Sequence, residues 1–206
     1  MGLRHYSTPK ECYIIMIEPP AIARRVFDRL CRGDNLLLSS NGPGEDAELY
    51  RQLQANEEGC RDYFAVIGIH LHEGDNFFYC TAEQEQQTAA ELKLEKVVRA
   101  IRMLDFFSSY IDSFGEGVIF SSVSLAARCS GDPRSERFLQ DAGRGETYVD
   151  RLDSLLQTLA RQGYLSEHDG DRKEYRVLSA INYLFEFAER IVIRDNPPEE
   201  QEHGAA

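Results

Sequence analysis

Apolar residues recur at helical spacing from Ile22 through Val26 and Phe27 to Leu30, just after Pro19 and Pro20, and predict a first helix. Proline is tolerated in a first turn, where the amide it lacks has no intrahelical partner, so the pair is read as the opening of that helix. Gly33 predicts its end. Leu36 to Leu38 reads as a short strand, and "SSNGPGED" as a turn region. Ala47, Leu49, Tyr50 and Leu53 then mark a second helix. Asn56 predicts the cap of a third, with Glu57 and Glu58 at its positive end. That helix carries Tyr63, Phe64 and Ile67 and ends near Gly68. In "GIHLHEGDNFFYC", Gly68 to Cys80, the period changes to two: Ile69 and Leu71 alternate with His70 and His72, "EGDN" turns the chain, and Phe77 to Cys80 returns.

The same order repeats downstream. Leu94, Val97, Val98, Ile101, Leu104, Phe107 and Ile111 form one stripe along a long helix from about Thr88 to Phe114. "GEGVIF" breaks it and supplies a small strand, and Ser121 or Ser122 predicts the cap of a helix through Leu125 and Ala126. "CSGDPRSERFLQDAGRGET" is polar and glycine-punctuated and reads as a long loop, anchored at Phe138 and Leu139. Tyr148, Leu152, Leu155, Leu156 and Leu159 form the next helix. "ARQGYLSEHDGDRKEYRV" ends that helix at Gly163, as a left-handed cap would, and continues as a hairpin. Asp169-Gly170 reads as its two-residue turn. A last amphipathic helix places Ile181, Leu184, Phe185, Ala188 and Ile191 inward, and the polar tail after it is expected to be disordered. Helices feeding a β-hairpin, twice over, predict a mainly α protein with small β-hairpins (α+β), built as tandem winged-helix domains plus a C-terminal helix. The expected division is an N-terminal lead (1–18), a first winged helix (19–86), a second that includes the long helix (87–178), the C-terminal helix (179–193) and the tail (194–206).

Charge and chemistry narrow the function. The 206 residues leave room for two small domains, and a formal net charge of −12 opposes autonomous binding to nucleic acid. The apolar run Tyr13 to Ile17 is too short to span a membrane and lacks a signal peptide's flanks, so a cytoplasmic protein without a membrane partner is expected. Five cysteines without a CxxC pair read as reduced thiols. No nucleophile elbow, phosphate-cradling loop or zinc-protease motif is present, and "NGPG" reads as a turn. His70 and His72 have the spacing of two metal-binding imidazoles, yet no third ligand lies nearby in sequence, so they read as strand histidines. No cofactor, metal or enzymatic activity is expected.

A winged helix that contacts DNA brings cations to the helix before its hairpin and to the wing. In the first copy those stretches are "NEEGCRDYFAVIG" and "HEGDN", where acids outnumber the single Arg61. A protein partner is expected there, with Tyr63 and Phe78 as candidate interface aromatics, although each also fits a plain core position. The second copy is mixed. Arg151 and Arg161 on its helix and Arg172 and Lys173 on its wing are the candidate DNA contacts, but Glu167, Asp169, Asp171 and Glu174 surround the wing pair. A solvated wing of neighbouring opposite charges is the competing reading.

Two stretches also carry a family likeness: "LYRQLQANEEGCRDYFAVIGIHLHEGDNFFYC", Leu49 to Cys80, and "LLQTLARQGYLSEHDGDRKEYRVLSAINYLFEF", Leu155 to Phe187. The first has a leucine-tyrosine pair, an asparagine-acid step, tyrosine-phenylalanine, glycine, leucine and an aromatic return strand. The second has a wing followed by the "VLSAINYL" helix. On these residues the chain resembles the MukE/MksE-like subunits of bacterial condensins, in the kleisin-interacting tandem winged-helix (KITE) class. Its lack of large insertions resembles MksE more. The likeness covers most of Ile22 to Ile191. It implies a non-enzymatic, nucleoid-associated accessory subunit that dimerises chiefly through the first winged helix and binds an extended kleisin segment. Through the kleisin it implies work with a structural-maintenance-of-chromosomes (SMC) ATPase in DNA entrapment, for chromosome organisation and segregation or plasmid defence. DNA contact by the lone subunit is then weak. The competing expectation is a winged-helix transcription regulator.

Overall fold

The computed structural model describes residues 19–32, 37–83 and 87–195. The expected N-terminal lead with Cys12, the Gly33 stop, Leu36 and the end of the tail lie outside these residues. The first apolar stripe folds as α1 (Ala23–Cys31), burying Ala23, Val26 and Leu30. Pro20 precedes the helix instead of opening it, and its carbonyl accepts from the Ala23 amide at 2.8 Å. Next come β1 (Leu37–Ser39), α2 (Asp46–Ala55), α3 (Glu57–Val66), β2 (Ile69–Gly74) and β3 (Phe77–Ala82). Asn56 stands at the start of α3, but its side chain does not cap that helix; it donates back to the Gln52 carbonyl at 2.8 Å and secures the end of α2. The hairpin turns through Asp75 and Asn76, with Asn76 at φ +64°. A Cβ on Gly74 would run into the Phe77 ring, so the turn needs glycine to let that ring fold beneath it.

The second unit contains α4 (Gln87–Tyr110), β4 (Ile119–Ser121), α5 (Ser122–Cys129), α6 (Pro133–Ala142), α7 (Tyr148–Arg161), β5 (Leu165–Asp169) and β6 (Glu174–Val177), followed by α8 (Ile181–Asp195). Ser121 caps α5, its hydroxyl accepting from the Val123 amide. The stretch expected as a long loop contains α6. Asp132 caps it by accepting from the Arg134 amide, Pro133 opens it and Glu136 lies in its first turn, three start signals that outweigh a polar composition. Gly163, at φ +83°, ends α7: its amide bonds to Ala160 and the Tyr164 amide to Leu159, a Schellman closure. The second wing turns over Gly170 to Lys173, not over two residues. Lys173, at φ +51°, takes the left-handed position, and an irregularity lies between Glu167 and Asp169.

Both units have a three-stranded antiparallel sheet in which the second hairpin strand is central: β1-β3-β2 and β4-β6-β5. The fold is therefore α+β, two winged helices in tandem with an added helix. One core lies within the first unit, around Val26, Leu53, Phe64 and Phe78. The other fills the second unit, yet it also takes in Leu37 and Phe77 from the first sheet.

That sharing defines a joint. Asn41 Oδ1 accepts from the Ser179 amide at 2.8 Å, and Ser39 Oγ accepts from the Ala180 amide at 3.1 Å. Two side chains of the first unit thus bond amides at the start of α8. The Ser179 hydroxyl, fully buried, donates to the Asn76 carbonyl at 2.5 Å and accepts from the Ser40 amide at 3.1 Å. Asn182 Nδ2 donates to the Asp75 carbonyl at 3.2 Å. Beside this polar seam, Tyr183 of α8 meets Phe77 edge-on at 6.0 Å and Tyr79 at 5.3 Å. The first wing tip is thereby docked inside the molecule.

Candidate nucleic-acid interface

The arginines of the first unit are neutralised at home. Arg24 and Arg32 face Asp28, Arg25 faces Glu45, Arg51 faces Glu48, and Arg61 pairs with Glu57. Arg29 grips Asp46 with two bonds, at 3.0 and 2.7 Å, and ties α1 to α2. The second unit differs. Among the described residues Arg99, Arg102, Arg134, Arg144, Arg151 and Arg161 have no carboxylate within ion-pair distance.

Three of these converge. Arg99 of α4, Arg144 of the α6–α7 loop and Arg161 at the end of α7 line one cavity of about 300 Å³, together with Ser154, Gln157 and Thr158 and with the apolar Met103, Ala142 and Leu155. No carboxylate lines it. The loop that presents Arg144 is held tightly. A Cβ on Gly143 would stand 2.8 Å from the Leu139 carbonyl and 2.9 Å from that of Arg151. The Arg144 amide donates to Ser154 Oγ at 2.8 Å, and Arg151 Nε donates to the Gly145 carbonyl at 3.1 Å. The start of α7 below is fixed by a reciprocal cap. Thr147 Oγ1 accepts from the Asp150 amide, and Asp150 accepts from the Thr147 hydroxyl and amide; these bonds hold its carboxyl below the usual range. Three guanidiniums around hydroxyl and amide groups suit a phosphate or another multivalent oxyanion.

The four cations expected from the sequence do not form one cluster, and only Arg161 and Lys173 border a common hollow. Arg161 is in the cavity. Arg151 is half-buried and serves the loop. Arg172 is on the wing tip, its side chain 75% exposed and 3.7 Å from Asp169. Lys173 lines a neighbouring hollow that Arg161 also borders, together with Asp153 and Glu167. Arg99 and Arg144 were not expected from the sequence. Their signals are a cation on the far side of the α4 stripe and the "GRG" of Gly143 to Gly145.

The model of the family described as condensin complex protein MksE matches residues 22–189. The chain belongs to that family. A search of the curated proteins finds no match. The MksE match starts one residue before α1 and ends within α8, so it takes in both winged helices, the joint and the arginine cavity. A member of the MksE family is an accessory subunit of condensin, the machinery of chromosome organisation. No described helix is long and apolar enough to cross a membrane.

The expected interface aromatics of this MksE-family chain part company. Phe78 is fully buried against Tyr50, ring centroids 5.1 Å apart, and offers no surface to a partner. Tyr63 is half-buried and lines a groove of about 530 Å³ with Pro19, Pro20, Phe27 and Ile67; Ile67 and its neighbour Val66 are exposed. His70 is exposed, whereas His72 is stacked on Tyr79 at 4.7 Å and bonded to Thr81 Oγ1 at 2.8 Å. Burial lowers the His72 pKa, with the neighbouring His70 adding to the effect. No cluster of three metal-binding side chains occurs among the described residues.

Proposed function

We propose that this condensin subunit is a non-enzymatic homodimer that holds a kleisin segment along the Tyr63 groove and turns the Arg99–Arg144–Arg161 cavity to the phosphate backbone of DNA entrapped with the SMC ATPase. The two winged helices divide between residues 86 and 87. The observation that carries the DNA contact is the group of three arginines without acids, on a chain whose net charge is −12. A field of that sign makes solitary binding weak, and the assembly supplies the remaining positive surface. The kleisin assignment is supported by exposed Val66 and Ile67 beside an apolar groove, the kind of surface an extended or helical segment covers.

The test replaces Arg99, Arg144 and Arg161 with Ala in the reconstituted complex and measures duplex binding by anisotropy over a salt series. Each lost phosphate contact reduces the slope of log affinity against log salt by about 0.9, so the triple variant is expected to lose between roughly one and three such steps. An unchanged slope, with the complex still assembled, overturns the DNA contact.

A further inference from the structure

We infer that Cys31 and Cys80 form a redox site: a peroxide closes them into a disulfide that staples α1 to the central strand of the first sheet, and a dithiol reopens it. Cys31 is the last residue of α1, and Cys80 lies within β3. The two elements pack together, and both side chains border the first core. The Cys80 thiol donates a hydrogen bond to the Cys31 sulfur, so the two sulfurs already meet across that junction. Only the fold provides this meeting, because β1, α2, α3 and β2 separate the two residues in sequence. Sulfurs in contact are what a disulfide needs if it is to form without moving the backbone.

Access and acidity single out this pair. Four cysteines are free thiols among the described residues. Cys60 and Cys129 are fully buried, whereas Cys31 and Cys80 are partly open to solvent. The bond from Cys80 holds the Cys31 thiol below its usual range against the opposing effect of burial, and the Lys93 ammonium of α4 adds to the lowering. The same bond, with burial, pushes Cys80 up, and burial also raises Cys60 and Cys129. Cys31 is therefore the attacking thiolate and Cys80 the thiol that resolves it. The Cys31 thiolate attacks one oxygen of hydrogen peroxide and becomes a sulfenic acid. The O–O bond breaks, and the other oxygen leaves as hydroxide that takes up a proton to form water. The Cys80 sulfur then displaces the sulfenic hydroxyl: the S–S bond forms, the S–O bond breaks, and the Cys80 proton leaves with the hydroxyl as a second water. Two electrons pass from the thiols to the peroxide. Phe27 stands one turn before Cys31 and lines the Tyr63 groove, so the closed pair fixes one wall of that groove.

The experiment exposes the reduced full chain to hydrogen peroxide, blocks remaining thiols with N-ethylmaleimide and maps tryptic peptides by mass spectrometry. Trypsin leaves the five cysteines on five separate peptides, which makes the pairing readable. Peptide 30–32 is expected joined to peptide 62–93, and dithiothreitol is expected to separate them. Oxidised wild type should melt higher than reduced by roughly 5 °C or more, because the crosslink constrains the unfolded chain. Cys80→Ser should halt at a Cys31 sulfenic acid that dimedone traps. Cys31→Ser should form no sulfenic acid at Cys80 and should melt identically with and without peroxide. Thermal melts of both reduced variants check that they fold. A wild type in which these two peptides stay separate, or in which Cys31 joins Cys60 instead, overturns the site. A Cys80→Ser protein without the dimedone adduct overturns the assignment of Cys31 as the attacking thiolate, and an unchanged melting temperature overturns the staple.

Discussion

The two winged helices share a topology and treat their wings and cations in opposite ways. In the first, the tip Asp75–Asn76 is an internal fitting: its carbonyls accept from Asn182 and Ser179, and the strand behind it puts Phe77 into the neighbouring core. Its arginines are matched with carboxylates of the same unit. In the second, the tip stands in solvent and, among the described residues, several guanidiniums on α4, α6 and α7 have no acid within ion-pair distance. A winged helix is thus a frame whose hairpin can serve assembly or leave the surface free. Which of these it does is decided by a few side chains outside the hairpin, here Ser39, Asn41 and Ser179.

The largest effect is expected where the first sheet enters the second core. Phe77 is fully buried, and Phe77→Ala should cost about 3–5 kcal/mol through lost burial and the cavity left behind. Because that side chain stands on a strand of the first unit and lies in the core of the second, chemical denaturation should remain one transition with a lowered midpoint. Two separated transitions, one of them unmoved, would show that the winged helices are energetically independent. A smaller loss follows at the polar seam. Asn41→Ala removes the acceptor of the Ser179 amide and the donor to the Val177 carbonyl at 3.3 Å, and should cost about 1–2 kcal/mol. Hydrogen exchange should speed up at Ser179 and Ala180 ahead of the rest of α8. Equal protection in variant and wild type would mean that Asn41 is a bystander.

The sequence made the repeated elements readable because their signals are local. A period of two marks β2, the α4 stripe has one phase over several turns, and Gly163 adopts the left-handed cap its place suggests. The helix α6 was hidden behind a polar, glycine-flanked composition, although Asp132, Pro133 and Glu136 announce a helix start. The seam was not readable, because Ser39 and Asn41 meet residues more than a hundred positions away and nothing in either stretch names the other. The arginine cavity was one-third readable. Arg161 is on the helix a winged-helix argument inspects, whereas Arg99 and Arg144 come from a linking helix and a loop that tertiary packing brings beside it.

The smallest effect is expected at the second wing. The Arg172 side chain is 75% exposed and its carboxylate neighbour, Asp169, is 3.7 Å away, a geometry in which solvent screens most of the attraction. What orders this tip is backbone: the Arg172 amide donates to Asp169 Oδ1 at 3.1 Å, and its carbonyl accepts from Ser121 Oγ at 3.3 Å. Arg172→Ala keeps both bonds, so its stability should change by less than about 0.5 kcal/mol. In the reconstituted complex the same variant should leave the salt dependence of DNA binding unaltered, because the wing cations face Asp153, Glu167 and Asp169 and not an acid-free cavity. A clear drop in that dependence would move the DNA contact from the α4–α7 cavity to the wing, and with it the contrast between a docked first tip and an idle second one.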